Sequence, residues 1–493
     1  MDAAPPAPLP PPAAQHRPRA ASEQRGGTAP SWSARLAELF PVPARPPRLR
    51  PAVACGYLLA MAGVTVLLLA RQSGTPATAT FWAEDGPIFY AQAATLPVAR
   101  ALTTTYNGYY QLVPRLVAEM ARAAPLRDAP ALTAVAGAVT VAACACLVFH
   151  ASRAHLASLP ARLVLVVSMV LLPTATAELL DNAVNVPWWL FFAAFWVLLW
   201  RPATRTGKWL ALLVCALAAG SEPLVGLFVP LAAARVLALR RLDEQWAPAG
   251  LVAGLAYQAV GRVVGPSAPF PGRFSLWSTT EAFFQRAGLS LFAGQRGADA
   301  VLHWHPVVAA GLGAAAWAAV VAVAWASARD GGRPFVALLA GLSLLVFFVP
   351  VWLRGVGTML GFSPVEDGSR YALVPILLTV TMLAVAVQHR SDARQRATGS
   401  RRGRAGARHV RRRAPSLGAA ALCVATLAPA WVADFRDTNL RSGGPSWSSQ
   451  VSAGTAQCLL RRARTVSLVT DPPGWTMALP CSLLDGHGSG PGA

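Results

Sequence analysis

Apolar runs close to the length of a bilayer crossing recur along almost the whole chain, and they limit what it can fold into. A transmembrane helix needs about 20 consecutive apolar residues. Charged residues make up 13% of the 493 residues, and the mean hydropathy is positive. A soluble domain carries roughly 25% charged residues. The sequence therefore predicts an all-α polytopic membrane protein with about 11 transmembrane helices.

The predicted spans cover most of the chain between residues 52 and 433. They lie at 52–70, 131–149, 161–177, 186–200, 209–221, 223–239, 248–264, 306–327, 335–353, 371–388 and 416–433. The runs at 186–200 and 209–221 are short, so they are tilted, lie in thinned bilayer or re-enter the membrane. An odd number of spans puts the two chain ends on opposite sides.

The distribution of charge orients these spans. With the N-terminus in the cytoplasm, the cytoplasmic segments hold 27 Lys and Arg against 7 Asp and Glu, and the outer segments hold 16 against 15. This is the positive-inside bias. The net charge of +21 is then a topology signal and an attraction to anionic membrane lipids, and we expect no nucleic-acid partner. A single Lys beside 42 Arg indicates a GC-rich bacterial genome and hence a bacterial plasma membrane.

The segments outside the spans differ in composition. Residues 1–50 are rich in Pro, Ala and Arg and predict a disordered cytoplasmic leader before an uncleaved signal anchor. The transmembrane core, residues 51–388, carries two long outer loops, 71–130 and 265–305. A cytoplasmic loop rich in Arg, 389–415, precedes the last span at 416–433. Residues 434–493 form an extracytoplasmic tail.

The first outer loop opens with the acidic motif Phe81-Trp-Ala-Glu-Asp-Gly86. A short helix is predicted over 87–96, a turn with aromatic anchors over 103–110, and a second helix from Gln111. Leu112, Leu116 and Met120 form an apolar stripe on that helix, so we expect it to lie along the membrane surface.

Two adjacent acids, Glu84 and Asp85, are the candidate catalytic residues. Acids are scarce in this chain, 22 in all. Paired carboxylates at the membrane interface act as a general base or bind a divalent cation. The alternative is a solvated turn in which Asp85 caps the helix that follows. Both interpretations hold if one acid caps the helix while the other acts as the base or binds the cation.

Polar residues after the third span form a second candidate set. Their spacing puts them on one helical face, toward a cavity or partner if the span continues and in water if it ends near residue 177. These residues are Glu178, Asp181, Asn182 and Asn185. Glu222, between two short apolar runs, is also a candidate, although Ser221 or Pro223 breaking the helix explains the site more simply.

Outer arginines adjacent to spans are candidate phosphate contacts. Arg115, Arg354 and Arg370 stand where an anionic headgroup would lie, and the guanidinium fork binds phosphate well. The alternatives are local ion pairs: Arg115 with Glu119, and Arg370 with Glu366 or Asp367.

The seven cysteines divide between spans and tail. Five lie in spans as small apolar residues. Cys458 and Cys481 lie in the outer tail, an oxidising space, where we predict a disulfide. A strand-like segment, 465–470, and a turn, 471–474, lie between them.

Many spans, a cytoplasmic N-terminus and a long first outer loop that opens with acids together resemble the GT-C class of membrane glycosyltransferases. The resemblance covers residues 52–390 and is carried by Glu84, Asp85, Tyr109, Gln111 and Arg115. It implies a polyprenyl-phosphate sugar as donor and a cell-envelope glycan or lipid as acceptor. It also implies Glu84 or Asp85 as the catalytic acid group and Arg115 or Arg370 as phosphate contacts.

Two other functions fit the same sequence. A transporter or flippase of lipid-linked sugars would show internal symmetry and broken helices. A non-catalytic membrane scaffold would use the tail for binding. The need for a divalent cation stays open, and the lipid-linked sugar is the expected donor substrate.

Overall fold

The computed structural model describes residues 36–42, 51–265, 274–328, 332–355, 360, 368–400, 414–461 and 463–484. This part of the chain is mostly helical. The principal helices are α1 Pro51–Ala70, α2 Leu112–Arg122, α3 Ala129–Ala151, α4 Leu159–Val170, α5 Val186–Leu199, α6 Arg205–Ser221, α7 Val229–Leu239, α8 Trp246–Val264, α9 Leu276–Phe283, α10 Ser290–Trp304, α11 Pro306–Ser327, α12 Arg333–Arg354, α13 Ser369–Ser400, α14 Ala414–Ala433 and α15 Trp447–Arg461.

The prediction of an all-α membrane protein agrees with this architecture. Within the described residues, five helices are long and apolar enough to cross a membrane: Pro51–Ala70, Leu126–Ala154, Pro306–Ser327, Arg333–Arg354 and Ser369–Gln388. Helical segments also occupy the other predicted spans, and several of these are shorter. The number of crossings stays a prediction.

The third predicted span, 161–177, is shorter than expected. Helix α4 ends at Val170, and a separate short helix, Ala175–Glu178, follows Pro173. Proline disfavours helical backbone at the residue before it and donates no hydrogen bond. Glu178 therefore lies in a folded connection before α5 and not on a continuous helix.

Helix α5 lies at the centre of the bundle. All 14 of its residues are buried, including three tryptophans and three phenylalanines. Its neighbours include α3, α6 and α13, and the apolar part of α13, Ser369–Gln388, is almost entirely buried as well. A helix enclosed by protein need not match the bilayer thickness, which accounts for the short run at 186–200.

Two predicted connections are more helical than expected. The outer segment 265–305 contains α9 and α10, joined through a π-helical turn, with a kink at Gly294. Helix α13 continues to Ser400, into the predicted loop 389–415. The rest of that loop, residues 401–413, and most of the leader 1–50 lie outside the described residues.

The tail is a small folded unit. Helix α15 precedes an antiparallel hairpin of strands β1, Thr465–Val469, and β2, Thr476–Pro480, in which Ser467 pairs with Ala478. Cys458 and Cys481 form a disulfide with an S–S distance of 2.00 Å. Within this all-α architecture the hairpin is an addition that the fold class did not include.

The tail packs against the first outer loop. One apolar cluster joins Phe81 and Tyr90 of the loop to Trp447, Leu468 and Met477 of the tail. Two segments in direct contact outside the bundle lie on the same side of a membrane, so an even number of crossings separates them. The ten predicted spans between residues 130 and 434 satisfy this condition.

Contacts at the opposite end of the bundle are made by the segments predicted to be cytoplasmic. Arg201 forms an ion pair with Glu244 at 2.8 Å and donates to the carbonyl of Phe40, whose ring lies beside Arg235. The His155 ring nitrogen lies 3.2 Å from the carbonyl of Leu39. The relative placement of these connections agrees with the predicted order of spans, and the assignment of this end to the cytoplasm stays a prediction.

Candidate functional site

A cavity of about 470 Å³ opens at the end of the bundle that carries the first outer loop. The loop contributes Glu84 and the turn from Tyr106 to Gln111. The bundle contributes the segment before α5, the connection after α6, and the ends of α8, α12 and α13 that meet there. Residues far apart in sequence therefore converge on one cavity of the size that small-molecule sites usually have.

Among the residues that the structure describes, five charged side chains line the cavity. They are Glu84, Glu222, Arg262, Arg354 and Arg370. The aromatic side chains of Tyr106, Tyr109, Trp188 and Tyr371 lie between them. Within this described set, three arginines against two carboxylates give an excess of positive charge, which favours an anionic ligand.

Glu84 reaches the cavity from a strained turn. Ala83, the residue before it, has a φ of 39°, a left-handed value that costs a non-glycine residue free energy. The Tyr106 hydroxyl donates to Oε1 of Glu84 at 3.4 Å. Burial, with the Glu84 charge as a smaller cause, raises the pKa of Tyr106 to about 12, so this phenol keeps its proton as a donor.

The turn that carries Tyr109 has a sequence suited to its shape. Asn107 and Gly108 both have positive φ, 54° and 81°, and Tyr106 pairs with Tyr109 across them. Asn-Gly is the favoured pair for such a turn. The Arg354 guanidinium lies over the Tyr109 ring, 5.5 Å from its centroid. Burial and then the charge of Glu222 raise the pKa of Tyr109, so it stays protonated.

A buried amide fastens this turn to the bundle. Gln258 of α8 accepts a hydrogen bond from the Tyr110 backbone N–H at 3.0 Å and donates to the Tyr110 carbonyl at 2.9 Å. It also donates to the carbonyl of Gly220 at 2.8 Å. Gln258 was not predicted from the sequence, although a lone amide inside an apolar run was the available signal.

The segment around Glu222 supports the start of α2 and also contributes to the cavity wall. The Ser221 hydroxyl accepts a hydrogen bond from the Val113 backbone N–H at 2.9 Å, which caps the start of α2. Glu222 is buried and accepts from the Leu224 N–H at 3.2 Å. The helix break predicted at Ser221 and Pro223 is present, and it leaves a carboxylate in the cavity wall.

Glu178 and Arg370 meet at the start of α13. Glu178 Oε1 accepts from the Arg370 backbone N–H at 2.9 Å, and Oε2 lies 3.7 Å from the Arg370 guanidinium. Glu178 does not line the cavity, so its role is to cap this helix and orient Arg370. Glu366 and Asp367, the partners weighed for Arg370, lie outside the described residues.

Asp85 does not line the cavity. Its carboxylate is buried and accepts backbone hydrogen bonds from Ala183 and Val184, each at 2.8 Å. The structure gives it no side-chain bond to the helix that follows, so the predicted capping role is absent. Burial raises the pKa of Asp85 to about 7, although the two N–H groups act in the opposite direction.

Of the three remaining members of the second candidate set, one lines the cavity and two do not. Asn185 lines the cavity, and its amide donates to the Glu178 carbonyl at 2.6 Å. Asn182 donates to the same carbonyl at 2.7 Å and is buried behind the cavity. Asp181 is buried near Arg441, which donates to the Asp181 carbonyl at 3.2 Å. Burial raises the pKa of Asp181 to about 6.

Arg115 is buried under the first outer loop and away from the cavity. It donates to the Gln92 side chain at 2.8 Å and to the Ala101 carbonyl at 2.7 Å. The alternative partner, Glu119, forms its ion pair with Arg122 at 2.9 Å. Gln111, another residue on which the resemblance rests, does line the cavity.

The candidate residues therefore separate by position. Of the candidate residues, those that line the cavity are Glu84, Tyr109, Gln111, Asn185, Glu222, Arg354 and Arg370. Asp85, Arg115, Glu178, Asp181 and Asn182 do not line it, and Arg262 is a cavity residue that was not predicted from the sequence. Among the described residues, no group of three or more His, Cys, Asp or Glu side chains is arranged to hold a metal ion. No family model, curated protein or solved structure matches the chain.

Proposed function

We propose that the protein is a membrane glycosyltransferase that moves a hexose or pentose from a polyprenyl-phosphate carrier to a cell-envelope acceptor on the outer face of a bacterial plasma membrane. The observation that carries the proposal is that Glu84 and three arginines line one cavity. Sugar transfer from a lipid phosphate needs a base for the acceptor proton and positive charge for the departing phosphate.

Glu84 is the proposed base. It is the carboxylate of the acidic motif that lines the cavity, and the Tyr106 hydroxyl bonds one of its oxygens. That bond restrains the side chain and leaves the second oxygen for an acceptor hydroxyl. Transfer of that proton to Glu84 accompanies attack of the acceptor oxygen on the anomeric carbon of the sugar. The bond from that carbon to the phosphate oxygen breaks, and polyprenyl phosphate departs with the electron pair.

Arg354 and Arg370 are the proposed phosphate contacts. Each belongs to the outer end of a long apolar helix, where the phosphate of an embedded carrier lies. Tyr109 and Glu178 restrain the two guanidinium groups. Arginine binds phosphate through paired hydrogen bonds and cannot lose its proton there.

The test is transfer by purified protein in lipid nanodiscs. Radiolabelled polyprenyl-phosphate hexoses and pentoses are offered with cell-envelope glycan acceptors, with and without a divalent cation. We expect a labelled product with at least one donor and a loss of about 10²–10⁴-fold in Glu84→Gln, the usual contribution of a general base. Absence of labelled product with every donor would contradict the proposal.

Two matched variants separate site effects from general damage. Glu119→Gln removes an acid from the same outer loop but lies in an ion pair with Arg122 outside the cavity. Arg333→Met changes the opposite end of the helix that carries Arg354. We expect Arg354→Met and Arg370→Met to weaken binding of polyprenyl phosphate, and both control variants to bind and transfer normally.

A further inference from the structure

We infer that Asp471 in the tail is a positioning residue for Glu84, so the tail belongs to the framework of the site. The inference deepens the proposed function and rests on it for the activity measurement. Asp471 lies 391 positions after Thr80 in the chain and contacts the acidic motif directly.

Backbone pairing joins Asp471 to the motif. The Asp471 N–H donates to the Phe81 carbonyl at 3.0 Å, and the Ala83 N–H donates to the Asp471 carbonyl. These bonds form an isolated parallel bridge between Trp82 and Asp471. One tail residue therefore determines the backbone position of the three residues immediately before Glu84.

The side chain of Asp471 adds a third connection. Its Oδ2 accepts a hydrogen bond from the Thr80 hydroxyl at 2.6 Å, and both residues are buried. Gly444 packs so closely against the Asp471 carboxylate that a Cβ there would overlap it. Packing within the tail therefore restrains the Asp471 side chain, and Asp471 in turn restrains the acidic motif.

The bridge acts on the strained residue of the motif. Ala83 has a φ of 39°, and such a conformation persists only where surrounding contacts impose it. The Ala83 N–H bond to Asp471 and the position of Trp82 under the Arg441 guanidinium, 4.9 Å from the ring centroid, are those contacts. Relaxation of Ala83 would turn the Glu84 side chain away from Tyr106 and the cavity.

The remainder of the tail keeps Asp471 in place. Phe81 packs edge-on against Trp447 at a centroid distance of 5.0 Å, and the Trp447 indole donates to the Leu126 carbonyl at 2.8 Å. Asp471 follows strand β1, and the disulfide joins α15 to the end of β2. These contacts restrain the position of Asp471, and through Asp471 they restrain the backbone of the acidic motif.

The first measurement is kinetic. Thr80→Val and Asp471→Ala each remove the side-chain hydrogen bond. We expect kcat for sugar transfer to fall by about 10–100-fold, as a displacement near 1 Å can cause, while KM for the lipid-linked donor stays unchanged. Thr80→Ser keeps a hydroxyl at this position and should therefore keep kcat close to the wild-type value. Thr455→Val is the matched control, because that hydroxyl bonds within α15 to the Val451 carbonyl.

The second measurement does not depend on the reaction. Glu84→Cys is placed in a chain whose five other free cysteines are alanine, and its reaction with a membrane-impermeant maleimide is timed. We expect Thr80→Val to change this rate severalfold and Thr455→Val to leave it unchanged. An unchanged rate in Thr80→Val overturns the inference. If the rate changes but the wild-type protein transfers no sugar, the inference stands and the proposed function fails.

Discussion

Glu84 and Asp85 are neighbours in the chain, yet their carboxylates serve different parts of the molecule. Glu84 lines the cavity beside Tyr106, whereas Asp85 is buried against the backbone N–H groups of Ala183 and Val184. One acid is available to a ligand, and the other ties the first outer loop to the segment before α5. Their substitutions should therefore have different consequences.

Glu84→Gln and Asp85→Asn separate chemistry from folding. We expect Glu84→Gln to reach normal membrane abundance while product falls by about 10²–10⁴-fold, because the substitution removes only the proposed base. Asp85→Asn replaces one accepting oxygen by a donor that faces an N–H group, at a cost of about 1–3 kcal/mol. Quantitative immunoblots, thermal midpoints and transfer assays check both. Equal effects of the two variants on stability and activity would contradict this division.

The stability of the protein should depend on pH through Asp85. Burial raises the folded-state pKa to about 7, against 3.8 for the ordinary side chain. Between these values the folded state binds more protons than the unfolded state, so the free energy of unfolding decreases as pH rises from about 4 to 7 and levels off above that range. Thermal midpoints in nanodiscs at a series of pH values measure this slope.

Asp181 contributes with the same sign, since burial raises its pKa to about 6. Asp85→Asn should therefore reduce the slope without removing it. A variant that retains the full wild-type slope would show that Asp85 does not titrate in this range.

The disulfide should stabilise the tail. Cys458 and Cys481 are separated by 23 positions, and closing such a loop contributes about 3–4 kcal/mol in the chain-entropy account. We expect Cys481→Ser to expose the tail to added protease at lower temperature than wild type. In intact cells, an impermeant maleimide should label these cysteines only after reduction; labelling of both without reduction would contradict the bond.

The end of the bundle that carries the tail should face away from the cytoplasm. An alkaline phosphatase fused after Ala493 should be active, because the charge distribution places the basic connections inside. A cysteine introduced at Thr204, beside the connection that contains Arg201, should react with impermeant maleimide only in broken cells. An inactive fusion of normal abundance, or labelling of residue 204 in intact cells, would reverse the orientation.

Gln258 should support the cavity without contributing to chemistry. Gln258→Met breaks its bonds to Tyr110 and Gly220 and leaves buried backbone groups unpaired, at about 1–3 kcal/mol for each. We expect a lower thermal midpoint and weaker binding of polyprenyl phosphate. Gln245→Met is the control, since that side chain bonds on the exposed surface to the Arg241 carbonyl.

Hydropathy and local pattern predicted the helical membrane architecture, the turn at 103–110, and the strand-like segment 465–470 with the turn after it; the second strand, Thr476–Pro480, was not predicted. These features depend on short-range properties: apolar length, the Asn107-Gly108 pair, and alternation over 465–470. Within the loop 265–305 the sequence predicted a helix only from Glu281 to Leu291, because buried polar residues such as Gln285 and Arg286 interrupt the apolar signal of α9 and α10.

The site was predicted in outline but not in detail. An acid of the first loop, with Arg354 and Arg370, was singled out from its position at span ends. Which of two adjacent acids faces the cavity depends on the backbone of Ala83, and that depends on a contact with the tail. Arg115 carries the same charge as Arg370, and only tertiary packing directs it toward Gln92 and Ala101.

The bridge between Trp82 and Asp471 also sets an order of events during biosynthesis. Ribosomes add about 5–20 residues per second, so roughly 20–80 s pass between synthesis of the two partners. Until then the segment before Glu84 lacks the contacts that impose its shape. A chain that is still being made, or one released before its last span, would hold an incomplete site, so activity would begin only in finished molecules.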